Sequence, residues 1–187
     1  MDAQNTIVFH RPAGDKICQV QWAAFCAQRT NTGFELLFYV RGREVEQGEL
    51  TDAEVSIFVD AFELDTLVGS RFEVPSSYDY ERDCHVAHIY YYDHKDFYSN
   101  ILEVLDRENN SFRVHWSGTT DDIEYYDRSQ PRNRVVIEAV FELQETCEAT
   151  YNHPPVQPRH KPDIGKHMDE KDADHDNEQL SLFRDTV

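Results

Sequence analysis

The sequence predicts a mainly β domain, an antiparallel sheet or sandwich with at most one helix packed on it, followed by a disordered C-terminal tail. Three observations predict this. Apolar and polar side chains alternate with period 2 in several runs before residue 144. Those runs are rich in β-branched and aromatic residues. Composition then changes near residue 148: of the 2 Trp, 10 Tyr and 11 Phe, residues 151–187 hold only Tyr151 and Phe183.

Each element follows from its own run. "NTIVFHRP" is short, apolar and β-prone, and Pro12 stops it. "CQVQWAAFC" alternates, with Cys18, Val20, Trp22 and Ala24 expected on one face and Gln19 and Gln21 on the other. "GFELLFYVRG" is apolar on both faces, which predicts a central strand. "LTDAEVSIFVDAFELDTLVG" carries two patterns. Thr51 with Glu54 resembles a capping box, and Val55, Phe58, Val59 and Phe62 are spaced for a helix face. Val55, Ile57, Val59 and Ala61 also alternate as in a strand. The expectation leans slightly toward the helix.

After it the signals are β. "RFEVPSS" is a short strand ended by proline, and "HVAHIYYYD" an aromatic one. "ILEVL", "DRENNS" and "FRVHW" read as a hairpin with a polar turn, Phe112, Val114 and Trp116 sharing a face. "SGTTDD" is expected as a loop. In "RNRVVIEAVFEL", Val135, Ile137, Ala139 and Phe141 oppose Val136, Glu138, Val140 and Glu142. The expected organisation is a β-rich domain over residues 1–148, a Pro-rich and acidic linker over 149–177, and a terminal motif over 178–187. High charge and few apolar residues cannot offset the entropy of ordering the linker.

The chain of 187 residues has a net charge of −18. Residues 151–187 hold five of the 18 Lys and Arg and eight of the 36 Asp and Glu, so the preceding 150 residues carry 13 − 28 = −15. Such acidity argues against direct duplex binding, which needs cations facing phosphates, and suits a basic protein partner. The N-terminus lacks a basic start followed by an apolar run, and no stretch reaches the roughly 20 apolar residues of a spanning helix. A cytoplasmic protein away from membranes, with reduced thiols at Cys18, Cys26, Cys84 and Cys147, is the expectation.

Chemical motifs are sparse. Asp121, Asp122, Glu124 and Asp127 have the density of a hard-cation site, but not the alternating acids, central glycine and closing Glu of a calcium loop. Asp83, Cys84 and His85 are neighbours in sequence, whereas catalytic triads converge in space. His153, His160, His167 and His175 are too widely spaced for a metal tract. No catalytic residue, metal or cofactor is assigned, and the protein is expected to be non-enzymatic. Tyr90, Tyr92, Asp121, Asp122, Glu124, Tyr125 and Tyr126 combine acids with tyrosines, a pairing that would suit docking onto a basic protein.

The tail ends on Gln179-Leu180-Ser181-Leu182-Phe183. A disordered segment gains nothing in its own fold from two leucines and a phenylalanine, and such clusters mark docking sites. This pentapeptide resembles the one by which bacterial DNA polymerases and repair factors hold the β sliding clamp: Gln-Leu, then Ser or Asp, then Leu-Phe. Every position matches. The resemblance implies that Gln179 hydrogen-bonds in a small polar subsite, that Leu182 and Phe183 fill the clamp's hydrophobic pocket, that Leu180 covers its lip and that Ser181 permits the geometry. It covers five residues only. The function it implies is a replication or repair accessory factor, or an inhibitor competing for the clamp. The acidic domain alone suggests the alternative, an immunity or antitoxin protein that neutralises a basic nuclease.

Overall fold

The computed structural model describes residues 5–123 and 129–146. Eleven strands are present among them: β1 (Thr6–His10), β2 (Lys16–Arg29), β3 (Phe34–Glu44), β4 (Leu50–Val59), β5 (Arg71–Val74), β6 (Tyr78–Asp79), β7 (Cys84–His85), β8 (Ala87–Tyr91), β9 (Asp93–Glu108), β10 (Ser111–Thr120) and β11 (Asn133–Leu143). A single 3-10 turn, Leu64–Thr66, is the helical element among the described residues. No described helix is long and apolar enough to cross a membrane.

Eight strands close on themselves. The neighbours run β1-β2-β3-β4-β8-β9-β10-β11, and β11 returns to β1. Every step in this ring is antiparallel, so the large antiparallel sheet is a barrel rather than two stacked sheets. Closure removes the edges that an open sheet would expose. Strand β5 lies outside the ring. It pairs with Asn100–Glu103 of β9, beyond the stretch of β9 that β8 occupies.

An eight-stranded barrel is just wide enough for side chains to fill. Here Phe9, Phe25, Phe38, Phe97, Phe112, Phe141, Tyr91 and Trp116 do so, all fully buried. The alternation of β11 is realised as expected, Val135, Ile137, Ala139 and Phe141 pointing inward. The β9–β10 hairpin and the inward face of Phe112, Val114 and Trp116 also match. Strand β3 is buried on both faces, Leu37 and Tyr39 outside as well as Phe38 and Val40 inside.

Four expectations are corrected. Residues 50–59 form a strand, not a helix. Thr51 does not cap; its hydroxyl donates to the Tyr90 carbonyl across the sheet. Ten residues of β4 pair with β3 and five with β8, and those ladders outweigh a capping pattern. The alternation in β2 is not continuous: a register shift between Val20 and Trp22 inserts an extra residue. Cys18 therefore faces inward, but Ala23 and Phe25 replace Trp22 and Ala24 on that face, because one inserted residue flips the parity. Ser117–Thr120 continues β10 instead of starting a loop. Cys26 is disulfide-bonded, whereas Cys18 and Cys84 are free thiols, so the four cysteines are not uniformly reduced. Pairing depends on Cβ positions that spacing along the chain does not specify.

Strand direction gathers most of the described buried polar groups at one end. The last residues of β1, β3, β8 and β10 lie with the first residues of β2, β4, β9 and β11. Lys16, Glu44, Thr51, Thr120 and Asn133, all buried, sit there. Asp121 and Asp122, which directly follow β10, and the tyrosine-rich β8–β9 hairpin lie at the same end.

Candidate functional site

The proposed clamp motif, Gln179 to Phe183, lies outside the described residues, as do Glu124, Tyr125 and Tyr126 and the boundaries drawn at 148 and 177. The remaining predicted site residues, Tyr90, Tyr92, Asp121 and Asp122, fall at the polar end of the barrel. They do not form one cluster.

In β8 the alternation places Ala87, Ile89 and Tyr91 inside and His88 and Tyr90 outside. Tyr92 alone links β8 to β9, with φ of 61°, and is 48% exposed. Its hydroxyl donates to Gln47 Oε1 at 3.3 Å. Tyr90 packs edge-on against its cross-strand partner His94, with ring centroids 5.3 Å apart. So the three consecutive tyrosines have three environments, set by strand parity and one tight turn.

Asp121 and Asp122 diverge in the same way. Asp122 is buried. Asp121 instead borders a surface pocket of about 300 Å³ with Asp96, Tyr98, Gln130 and Arg132. Strand β9 supplies Asp96 and Tyr98 from its outer face, and the Thr120 hydroxyl holds the backbone by donating to the Asp96 carbonyl at 2.9 Å. Tyr98 donates to Asp96 Oδ2 at 2.8 Å. Arg132 places its guanidinium carbon 3.8 Å from the Tyr98 ring centre and donates from Nε to Asp121 Oδ1 at 3.2 Å. His85 Nδ1 lies 3.9 Å from Asp96 Oδ1.

Burial pushes the Tyr98 phenol up to about 12, helped by its hydrogen bond to Asp96 and the charges of Asp96 and Asp121, and opposed by Arg132. The folded state thus holds this proton more tightly than a free tyrosine, which titrates near 10. The stability this contributes is full below about pH 10 and is lost as pH rises toward 12. A spectrophotometric titration should show Asp96→Asn releasing the Tyr98 proton at lower pH than the wild type. An unchanged midpoint would show that the carboxylate does not act on the phenol.

The other sequence candidates separate. Asp83 accepts from the Tyr78 hydroxyl, while His85 stacks edge-on against the Tyr78 ring at 5.0 Å. Asp83 and His85 are thus each engaged with Tyr78. Among the described residues, no group of three or more His, Cys, Asp or Glu is arranged to hold a metal ion.

One buried cluster escaped the sequence reading. Lys16 Nζ donates to Glu44 Oε1 at 3.0 Å, and the Tyr91 hydroxyl donates to Glu44 Oε2 at 2.7 Å. Lys16 also sits 5.4 Å from the Tyr91 ring centre. Burial, then Glu44, pushes the neighbouring Cys18 thiol up to about 12, against the pull of Lys16. Such a thiol is protonated at neutral pH and poorly nucleophilic. The signal was faint: Lys16 stands two residues before Cys18 and so shares its face.

No protein-family model matches the chain, and neither the curated proteins nor the solved structures include a match to it.

Proposed function

We propose that this protein is a non-enzymatic factor that binds the bacterial replication sliding clamp through Gln179–Phe183. The observation that carries the reading is the full match of Gln179-Leu180-Ser181-Leu182-Phe183 to the clamp-binding consensus. Each residue has a matching task. Leu182 and Phe183 supply apolar area for a preformed pocket, and Gln179 supplies polar specificity. The barrel is the load so tethered, and its interior, filled by its own aromatic side chains, leaves the outer surface to act. The protein either brings a second partner to the clamp or blocks polymerases that use the same pocket.

The test is fluorescence polarisation with purified β clamp and labelled peptide 170–187, alongside a pulldown with the full chain. Combined replacement of Gln179, Leu182 and Phe183 by alanine is expected to weaken binding about 100-fold or more, since pocket-filling anchors dominate such contacts. Unchanged binding, or none by the native peptide, refutes the reading.

A second reading is favoured by the barrel itself. The preceding 150 residues carry −15, and Asp96 and Asp121 meet at an open pocket beside Tyr98. This suits an acidic protein that neutralises a basic partner such as a toxin nuclease. Its complex should weaken steeply with salt.

A further inference from the structure

Each member of the buried Lys16–Glu44–Tyr91 cluster is followed in the chain by an exposed apolar side chain. Ile17 follows Lys16, Val45 follows Glu44 and Tyr92 follows Tyr91. Ile17 and Tyr92 are each 48% exposed and Val45 is 66% exposed. The cluster holds the three segments together from inside, because Lys16 and Tyr91 both donate to Glu44. Outside, the Val45 N–H donates to the Ile17 carbonyl at 3.0 Å, one step beyond the Cys18–Glu44 pair of β2 and β3. Neighbours across two strands lie within side-chain reach of each other. Gln47, in the same turn as Val45, accepts through Oε1 from the Tyr92 hydroxyl at 3.3 Å. The three apolar side chains are therefore brought to one place at the polar end of the barrel.

Tyr92 is held ready for contact. Its φ of 61° is one that bulky residues rarely adopt. Its ring stands edge-on to the buried Tyr91 ring, with centroids 4.8 Å apart. An aromatic side chain already fixed in this way loses little entropy on docking. Charge then selects the partner. Residues 15–17, 43–49 and 91–93 carry Asp15, Glu44, Glu46, Glu49 and Asp93 against Lys16 and Arg43. Lys16 is matched by Glu44, and Arg43 donates to the Gly48 carbonyl at 2.9 Å. Asp15, Glu46 and Asp93 are exposed. Such a rim repels nucleic acid, an anionic membrane and a second copy of a chain carrying −18. A partner offering only charge leaves the apolar centre in water.

We propose that Ile17, Val45 and Tyr92 are the docking face for a basic amphipathic segment of a protein partner. Its apolar side chains cover the three residues, and its Lys or Arg side chains meet Glu46, Glu49 and Asp93. The proposal rests on the second reading above, an acidic protein that neutralises a basic one, and supplies its apolar contact. The clamp reading stands or falls separately.

The experiment uses the full chain and a fluorescein-labelled Lys/Leu amphipathic peptide, with a Lys/Ser peptide of equal length and charge as comparison. Tyr92→Asn removes the ring while keeping a residue that tolerates positive φ, and is expected to weaken Lys/Leu binding about tenfold. Ile17→Ser combined with Val45→Ser removes the patch from the other strands and should have a similar effect of about tenfold. Tyr80→Ala is the control. Tyr80 is 86% exposed in the β6–β7 hairpin, which Ser77 joins to the start of β8, the end remote from Tyr92. Its loss should alter binding less than about twofold, as for a residue outside the contact. Amide resonances of Val45 and Tyr92 should shift on titration, and thermal melts confirm that each variant is folded. If Tyr80→Ala acts as strongly as Tyr92→Asn, the peptide binds wherever an aromatic ring is exposed and the patch is overturned. If both peptides bind and no patch variant weakens them, the patch falls while the acidic-docking reading stands. If the Lys/Ser peptide binds as tightly as the Lys/Leu peptide, the apolar contact is overturned. If neither peptide binds the wild type, the patch and the acidic-docking reading fall together.

Discussion

Glu44→Ala is expected to destabilise the barrel by about 3–5 kcal/mol, the range for breaking a buried ion pair from one side. Glu44 accepts from both Lys16 and Tyr91, and the Lys16 and Glu44 side chains are only 8% and 2% exposed. Removing the carboxylate takes from the buried Lys16 its Glu44 ion pair and from the Tyr91 hydroxyl its acceptor. Gln47 Oε1 accepts from Lys16 Nζ at 3.5 Å, but this long bond to a neutral amide does not replace the carboxylate's charge. The combined variant Lys16→Met, Glu44→Leu, Tyr91→Phe should recover most of the loss, because apolar groups of similar volume avoid desolvating charge. Urea denaturation of the single and triple variants checks both statements. If the triple variant is as unstable as Glu44→Ala, the cluster contributes packing that its charges do not explain.

Trp116→Ala should cost a comparable 3–5 kcal/mol, as for deletion of a large buried aromatic side chain. Its indole fills the barrel beside Phe97, with ring centroids 5.3 Å apart, and its Nε1 donates to Asn100 Oδ1 at 2.9 Å. Asn100 in turn donates to the Phe97 carbonyl at 2.7 Å, spanning the irregular stretch of β9 where Ser99 has φ of 51°. Trp116 thus anchors both packing and a bent backbone. Gly118 belongs to the same node: a Cβ there would stand 2.4 Å from one Phe97 ring carbon and 3.0 Å from Asn100 Oδ1. Gly118→Ala should therefore destabilise by about 1–3 kcal/mol, as for overpacking. Phe97→Leu should lessen the penalty in a double-mutant cycle. Strict additivity of the two would show that the ring is not what the new methyl meets.

Most of the strand set was legible because half-burial imposes period 2, and Val135 to Phe141 or Phe112 to Trp116 can satisfy it in only one way. The candidate site was legible only in part. Asp121 carries its charge in the sequence, but Asp96, Tyr98 and Arg132 come from segments up to 36 positions apart, and nothing local signals that barrel closure brings them together. Tyr90 and Tyr92 lie on the outside of the barrel, yet the pocket forms around Tyr98, which no motif distinguished.

The sequence by itself determined a mainly β fold, the inward faces of β10 and β11, the acidity and the presence of a terminal Gln-Leu-Ser-Leu-Phe peptide, because each is written in local order or composition. Tertiary structure decided the rest. Residues 50–59 are a strand because neighbours on both sides offer ladder bonds that a local cap cannot match. The bulge after Val20 reverses which side of β2 is buried, since parity is counted from the partner strand. Lys16 is interior because Glu44 and Tyr91 arrive from strands 28 and 75 positions further along the chain to satisfy it. Such partners are set by closure of the ring, a long-range event that no window of the sequence contains.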